Sequence, residues 1–391
     1  MGGLRIVIRV LTFFRLGVLA RILTPFEFGL FAVATMALGL VETLTETGVN
    51  VFFIQKEGKL KDYVSSAFVV SVIRGALIAG VLLLLANPLS VFFTSPQSVR
   101  LINYIAAIAF LRGFINPSIV KFQENLEFGR EFALRVTTAL VDVGVSIWVS
   151  LLTRSAIGLV FGMGAGVLVE VVFSLVFIHP KPKLALDKVQ VTHIIKRGKW
   201  VTVAGIFQYL FTNLDNLVVG KLLGLGALGL YQNAYKIASV PITEISDVFG
   251  KVSFPHFAQV ADDKAKLKEE FGKFTLLLTV TSLVFASLIF FFARPIVLVL
   301  LGDNWLSIVP ALKVLSVFGL VRSFEGAYPP LFLAIKKQEL VTRITLISFV
   351  GLAVLIVPAV GLWGLVGAGW AVVGGSFLAL PYILYVFHKQ S

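Results

Sequence analysis

Apolar side chains run along this chain in long stretches that short polar segments interrupt. They neither alternate with polar residues, as in a half-buried strand, nor keep to one face, as in a soluble helix. The stretches predict helices at about 4–23, 27–54, 63–86, 98–120, 131–152 and 157–178. After a basic connection six more follow, at about 199–222, 227–252, 272–298, 307–335, 338–358 and 362–387. A bilayer is crossed by ~20 apolar residues in a helix, whereas barrel strands are half that length and alternate. The expectation is an all-α polytopic membrane protein with about 12 transmembrane helices.

Composition agrees. Of 391 residues, 58% are hydrophobic and 14% charged, and the mean hydropathy is +0.94. A soluble domain carries about 25% charged residues, so soluble enzymes are excluded. The net charge of +13 would in water suggest a nucleic-acid partner. In a membrane protein the same excess is loop charge, and no nucleic acid is expected. There is no cysteine, hence no disulfide framework, thiolate nucleophile or Cys-based metal site. The first stretch carries Arg5, Arg9 and Arg15 and lacks a small-residue cleavage site, so it does not read as a signal peptide.

The basic residues also predict orientation. Connections after even-numbered helices hold Lys56, Lys59, Lys61, Lys121, Arg130, the run from Lys181 to Lys199, Lys264 to Lys273, Lys336, Lys337 and Arg343. With Lys389 this makes nineteen Lys and Arg, whereas the opposite connections hold Arg154 alone. Lys and Arg accumulate on the cytoplasmic side of short loops. Both termini are therefore expected in the cytoplasm, with the chain in the plasma (inner) membrane.

The halves repeat. Ala20-Arg21-Ile22-Leu23 with Phe28-Gly29-Leu30-Phe31 matches Gly220-Lys221-Leu222-Leu223 with Leu228-Gly229-Leu230-Tyr231. Phe110-Leu111-Arg112-Gly113-Phe114 matches Leu320-Val321-Arg322-Ser323-Phe324, and Gly158-Leu159 with Gly164-Ala165-Gly166 matches Gly361-Leu362 with Gly367-Ala368-Gly369. The matches share one order and nearly one offset. They predict two six-helix bundles related by a pseudo-two-fold along the membrane normal: residues 1–180, a cytoplasmic linker 181–198, and residues 199–391. Two such bundles leave a cleft that can open to either side.

Several segments resemble a known family. Ala20-Arg21-Ile22-Leu23-Thr24-Pro25-Phe26-Glu27-Phe28-Gly29 looks like its turn between the first two helices. Asn213-Leu214-Asp215-Asn216, Gly220-Lys221-Leu222-Leu223-Gly224 and Gly229-Leu230-Tyr231-Gln232-Asn233-Ala234-Tyr235 look like its seventh-to-eighth helix region. Leu301-Gly302-Asp303-Asn304-Trp305 is similar to the segment after its ninth helix. Together they resemble the Wzx-like repeat-unit flippases, the polysaccharide-transport branch of the multidrug/oligosaccharidyl-lipid/polysaccharide exporter superfamily. The resemblance implies carriage of a polyprenyl-diphosphate-linked oligosaccharide to the outer leaflet for surface polysaccharide assembly. It also implies membrane lipids, a polysaccharide polymerase and glycosyltransferases as partners. A multidrug/cation antiporter of the same superfamily is the alternative. A membrane-embedded transferase would need longer outer loops with paired carboxylates.

Other motifs are negative or structural. Gly224-Leu225-Gly226-Ala227-Leu228-Gly229 fits G-x-G-x-x-G, but no strand precedes it, and a tight turn is the better reading. No Gly-Lys pair is followed by Ser or Thr, so ATP is not expected to drive the chain, and no cofactor or metal is expected. Gly158, Gly162 and Gly166 have the spacing for close helix packing. Trp305 and Trp363, at predicted helix ends, are expected in the interfacial belt.

Charges within the helices carry the functional expectation, because each costs roughly 2.5–3.5 kcal/mol at the bilayer centre unless paired or hydrated. Glu42 and Glu46 share a helical face at the depth of Arg5 and Arg9, and ion pairing among those four is expected. Arg100 and Arg135 lie near helix ends and are expected to snorkel. Arg15, Arg74, Arg112, Arg322 and Lys236 are the candidate diphosphate-binding cations, since the planar fork of Arg suits phosphate oxygens. Asp142, Glu170, Asp215 and Glu325, with Glu42 and Glu46, are candidate coupling or ion-pair carboxylates. Arg predominates in the first half, which suits an anionic head group whose lipid tail stays in the bilayer.

Overall fold

The computed structural model describes residues 2–45, 60–124, 127–183 and 188–390, and among these there is no strand. The helices are α1 (Gly2–Ile22), α2 (Pro25–Leu44), α3 (Leu60–Phe92), α4 (Gln97–Arg112), α5 (Phe128–Thr153) and α6 (Ile157–Phe177). There follow α7 (Lys188–Gln259), α8 (Lys264–Phe291), α9 (Ala293–Leu300), α10 (Val309–Ala334) and α11 (Gln338–Gln390). Eight helices among the described residues are long and apolar enough to cross a membrane. Two of them, α7 and α11, are interrupted by a glycine at positive φ: Gly224 (82°) and Gly364 (57°). Only glycine takes such a conformation without strain, and the G-x-G-x-x-G match thus marks a break in a helix. Many large apolar side chains face outward. On α3, Leu84 and Val91 are 77% and 78% exposed, an inversion that water forbids and lipid favours. The chain is a multi-pass membrane protein.

Sequence and structure differ mainly at helix ends. Helix α8 begins at Lys264, ahead of the expected 272, because the Asp263 side chain accepts from the Lys266 amide and caps it. Hydropathy marks the lipid-embedded part of a helix, and the polar first turns of α8 lie outside that part. Helix α4 ends at Arg112, where 98–120 was expected; Pro117 opens a separate 3-10 turn, Pro117–Val120, with Asn116 as its cap. The ninth predicted span, 272–298, is divided: α8 stops at Phe291 and the separate short helix α9 begins at Ala293. Trp305 is fully buried in a 3-10 segment, Asp303–Ile308, and cannot sit in an interfacial belt, whereas Trp363 is exposed.

By contact the chain divides into two compact units, Met1–Asn213 and Leu214–Ser391. In the first, α5 and α6 pack face to face through glycines. A Cβ at Gly162 would overlap the Ser146 hydroxyl, and one at Gly158 that of Ser150. Helix α1 runs along α5, and α2 packs on α3 and α4. Thr24 caps α2 ahead of Pro25. Glu27 accepts from the Ala156 amide (2.5 Å) and the Ser155 hydroxyl (3.2 Å) at the start of α6. The Thr24–Gly29 motif therefore ties two helix beginnings together. Buried Asn116 donates to the carbonyls of Ser174, Ile178 and Pro180, and Ser118 donates to Pro180. The end of the expected first bundle is thereby held in place, and the Lys183 amide, in the expected linker, donates to Ser65 Oγ at 3.0 Å. Residues 184–187 of that linker lie outside the described residues. In the second unit the core gathers Phe257, Phe271, Tyr328, Phe332, Ile344 and Ile383 from α7, α8, α10 and α11.

Candidate functional site

Three of the candidate charges meet in one cavity of the first unit. Glycines bring their helices together: a Cβ on Gly75 of α3 would lie 3.1 Å from the Ala109 carbonyl and the Gly113 Cα. One on Gly113 would lie 2.9 Å from the Ser71 carbonyl. Both glycines directly follow an arginine, so the interlock sets Arg74 and Arg112 on the wall of the same cavity. Its volume is about 490 Å³, and its polar lining is Glu42, Thr43, Ser71, Arg74, Arg112 and Tyr209. Arg112 Nη1 donates to Glu42 Oε1 at 2.8 Å. Arg74 Nη2 donates to the Glu42 backbone carbonyl at 2.8 Å, and its Nε to Thr45 Oγ1 at 3.4 Å. Tyr209, on α7, lies over Gly39 of α2 and donates to the Met36 carbonyl at 2.5 Å. Among the described residues that line it, two arginines face one glutamate, and the mixed hydroxyl and guanidinium lining can take an anionic, hydroxyl-rich ligand.

The partner of Glu42 differs from expectation. Equal depth pointed to Arg5 and Arg9 on the neighbouring helix, but Arg112 of α4 takes the carboxylate, because the α2–α4 packing turns that face of α2 toward α4. Glu46 lies outside the described residues. The remaining candidates of this unit are ion-paired elsewhere. Arg15 Nη1 meets Asp142 Oδ2 at 2.5 Å, with side chains 18% and 26% exposed. Ser146 Oγ adds a hydrogen bond to Asp142 Oδ1 at 3.1 Å. Arg135 Nη1 meets Glu170 Oε1 at 3.1 Å, so Arg135 pairs across to α6 and does not simply reach for the interface.

In the second unit three of the candidates each have polar partners of their own. Asp215, buried, accepts from Tyr231 Oη at 2.8 Å and from the Asn216 amide at 2.8 Å. Arg322 Nη1 donates to Tyr235 Oη at 2.7 Å and lies over the Phe318 ring. Glu325 accepts from Ser348 at 2.8 Å and Ser376 at 3.2 Å, one on each arm of α11. Lys236 is exposed. Tyr209, Tyr231, Tyr235, Ser348 and Ser376 were not among the sequence candidates. The two Arg-Gly pairs, 74–75 and 112–113, were the sequence signal for the cavity, since a charge beside a helix-packing glycine is placed close to a neighbouring helix.

A membrane-embedded helical protein with a polar cavity between its spans is the architecture of a transporter. Residues 18–310 match the family described as polysaccharide biosynthesis protein, and the chain belongs to that family. It is 26% identical over 373 residues to the lipopolysaccharide biosynthesis protein WzxC of Escherichia coli (strain K12), covering 92% of this chain and 73% of that one. Among solved structures it is similar to the lipid II flippase MurJ in an inward closed conformation, with TM-score 0.75 and 15% identity over 100% of this chain and 89% of that one. It is also similar to an inward-facing multidrug resistance MATE family transporter of the MOP superfamily, with TM-score 0.67 and 16% identity over 100% and 94%. The fold is the one these transporters share.

Proposed function

We propose that the chain is a flippase that moves a polyprenyl-diphosphate-linked oligosaccharide from the cytoplasmic to the outer leaflet of the plasma membrane. The observation that carries this reading is the cavity in which Arg74 and Arg112 converge among apolar spans. A charged residue in the bilayer interior is retained for function or paired, and these two line a space able to admit a ligand. The likeness to WzxC and to MurJ favours a lipid-linked glycan over other anions. In this reading the guanidinium forks hold the diphosphate, the hydroxyls of Thr43, Ser71 and Tyr209 meet sugar, and the lipid remains in the bilayer. Arg322 and Lys236 are the corresponding cations of the second half. Glycosyltransferases act before it and a polysaccharide polymerase after it.

The working arrangement we propose has twelve spans in two six-helix bundles, residues 1–180 and 199–391, joined by 181–198, with both termini cytoplasmic. The breaks at Gly224 and Gly364 divide each long helix into two arms and support that count, and the bias of basic residues supports the orientation. Asp142 and Glu170 are held by Arg15 and Arg135, which leaves Asp215 and Glu325 as the carboxylates best suited to couple an ion. No basic side chain lies within salt-bridge distance of either among the described residues. Those two carboxylates also favour the second reading, a cation-coupled multidrug exporter, and the likeness to the MATE structure is consistent with it. Reconstitution with a defined lipid-linked glycan separates the two. Arg74→Gln and Arg112→Gln should each abolish transport while the protein still inserts. Lys at either site should restore it only in part, because a point charge cannot make the two-pronged contact. Full activity of both Gln variants, or export of organic cations in place of the glycan, refutes the flippase reading.

A further inference from the structure

We propose that Glu42 is a built-in competitor for the anion seat on Arg112: binding a substrate phosphoryl group exchanges it for the Glu42 carboxylate, and release reverses the exchange. The inference rests on the reading that this cavity takes a diphosphate. Arg112 offers five N–H donors, and among the described residues it spends one of them, Nη1, on Glu42 Oε1 at 2.8 Å. The contact is single-pronged, so phosphate can offer the guanidinium the bidentate contact that Glu42 does not. Both partners line the cavity, and their side chains are 41% and 34% exposed, within reach of a ligand. The Arg15–Asp142 pair is different. It is less exposed, does not line the cavity, and has Ser146 as a further anchor on the carboxylate.

The main chain of Glu42 is separately tethered. Arg74 holds its carbonyl oxygen at 2.8 Å, while Arg112 is the one hydrogen-bond donor to its carboxylate among the described residues. The side chain can therefore leave Arg112 by rotamer change, with α2 remaining in place. Charge also favours exchange. A diphosphate diester carries two negative charges to the one on Glu42, so it competes for Arg112 with the stronger field. Arg112 faces an anion at each end of the cycle, so no guanidinium is stranded without a partner within the membrane. A carrier that held diphosphate without a competitor would release it slowly.

The test is calorimetric titration of the purified full-length protein in detergent with inorganic pyrophosphate, paired with transport in proteoliposomes. Glu42→Gln should bind pyrophosphate about tenfold tighter, the effect of removing one charge-assisted contact, and should turn over more slowly than wild type. Glu42→Asp retains the charge but shortens the reach, and should bind with intermediate affinity, which keeps the idea testable if the Gln variant folds poorly. Arg112→Gln should bind at least tenfold more weakly. Glu42→Gln combined with Arg112→Gln should bind no tighter than Arg112→Gln alone, because the competition requires Arg112. If Glu42→Gln and Glu42→Asp bind no tighter than wild type while Arg112→Gln weakens binding, the exchange is overturned and the diphosphate cavity stands. If Arg112→Gln binds as wild type does, or if neither wild type nor Glu42→Gln binds pyrophosphate, the cavity reading falls with it.

Discussion

Whether an intramembrane charge is structural or binds substrate can be tested at Arg15. Its guanidinium meets Asp142 at 2.5 Å, and neither side chain is more than about a quarter exposed. Replacing Arg15 by Gln leaves the carboxylate in a packed interior without its cation, a loss of about 3–5 kcal/mol for buried pairs. The Ser146 hydroxyl continues to serve Asp142 Oδ1, which offsets about 1 kcal/mol, so the expected cost is about 3 kcal/mol. Asp142→Asn strands the opposite charge and should cost about as much. In the double variant two neutral side chains face each other and can hydrogen-bond. It should recover most of the loss, so that the coupling energy, the two single losses less the small residual cost of the double, is about 5 kcal/mol. Thermal unfolding in detergent reads this as a Tm several degrees lower in each single variant and close to wild type in the double. Transport should follow stability, lost in the singles and regained in the double. A diphosphate ligand role predicts otherwise: Arg15→Gln would be inactive at unchanged Tm, and Asp142→Asn would not rescue it. Single variants that melt with wild type would falsify the structural assignment.

Three further outcomes are expected. Gly224→Ala forces a side chain into a backbone conformation reserved for glycine, at a cost of about 1–3 kcal/mol; Gly226→Ala, helical and with open space around its Cβ site, should be neutral or gain up to about 1 kcal/mol. The contrast is read by paired thermal melts, and equal effects of the two would discount the helix break. Asp215→Asn keeps an acceptor for Tyr231 and should fold normally but lose any dependence of transport on proton or Na⁺ gradients, measured in proteoliposomes; a dependence that survives in this variant and in Glu325→Gln removes both from the coupling role. Single cysteines at Lys188 and Lys389 should be shielded from an impermeant thiol reagent added outside, and one at Arg154 labelled, an assay simplified by the absence of native cysteine; the reverse pattern inverts the topology.

What the sequence determined by itself was set by the solvent. Hydrocarbon offers no hydrogen bonds, so a span must satisfy its own backbone as a helix or within a closed barrel, and an apolar run as long as 338–358 declares itself a helix in composition alone. The same economy made the internal charges conspicuous, and Arg74, Arg112 and Glu42 could be singled out before their neighbours were known. Trp305 and the start of α8 were misjudged because hydropathy measures contact with lipid: it can distinguish neither a buried indole from an interfacial one nor a wetted helical turn from a loop. Which charge meets which was decided only by tertiary structure. Glu42 and Arg112 are 70 positions apart, and their meeting depends on how α2 and α4 are rotated about their own axes. Close glycine contacts, such as Gly113 against the backbone of α3 and Gly162 against Ser146, set how closely the helices of this unit approach. Depth in the membrane can be read from position along a helix, but the face a side chain presents depends on what the neighbouring helices allow to approach.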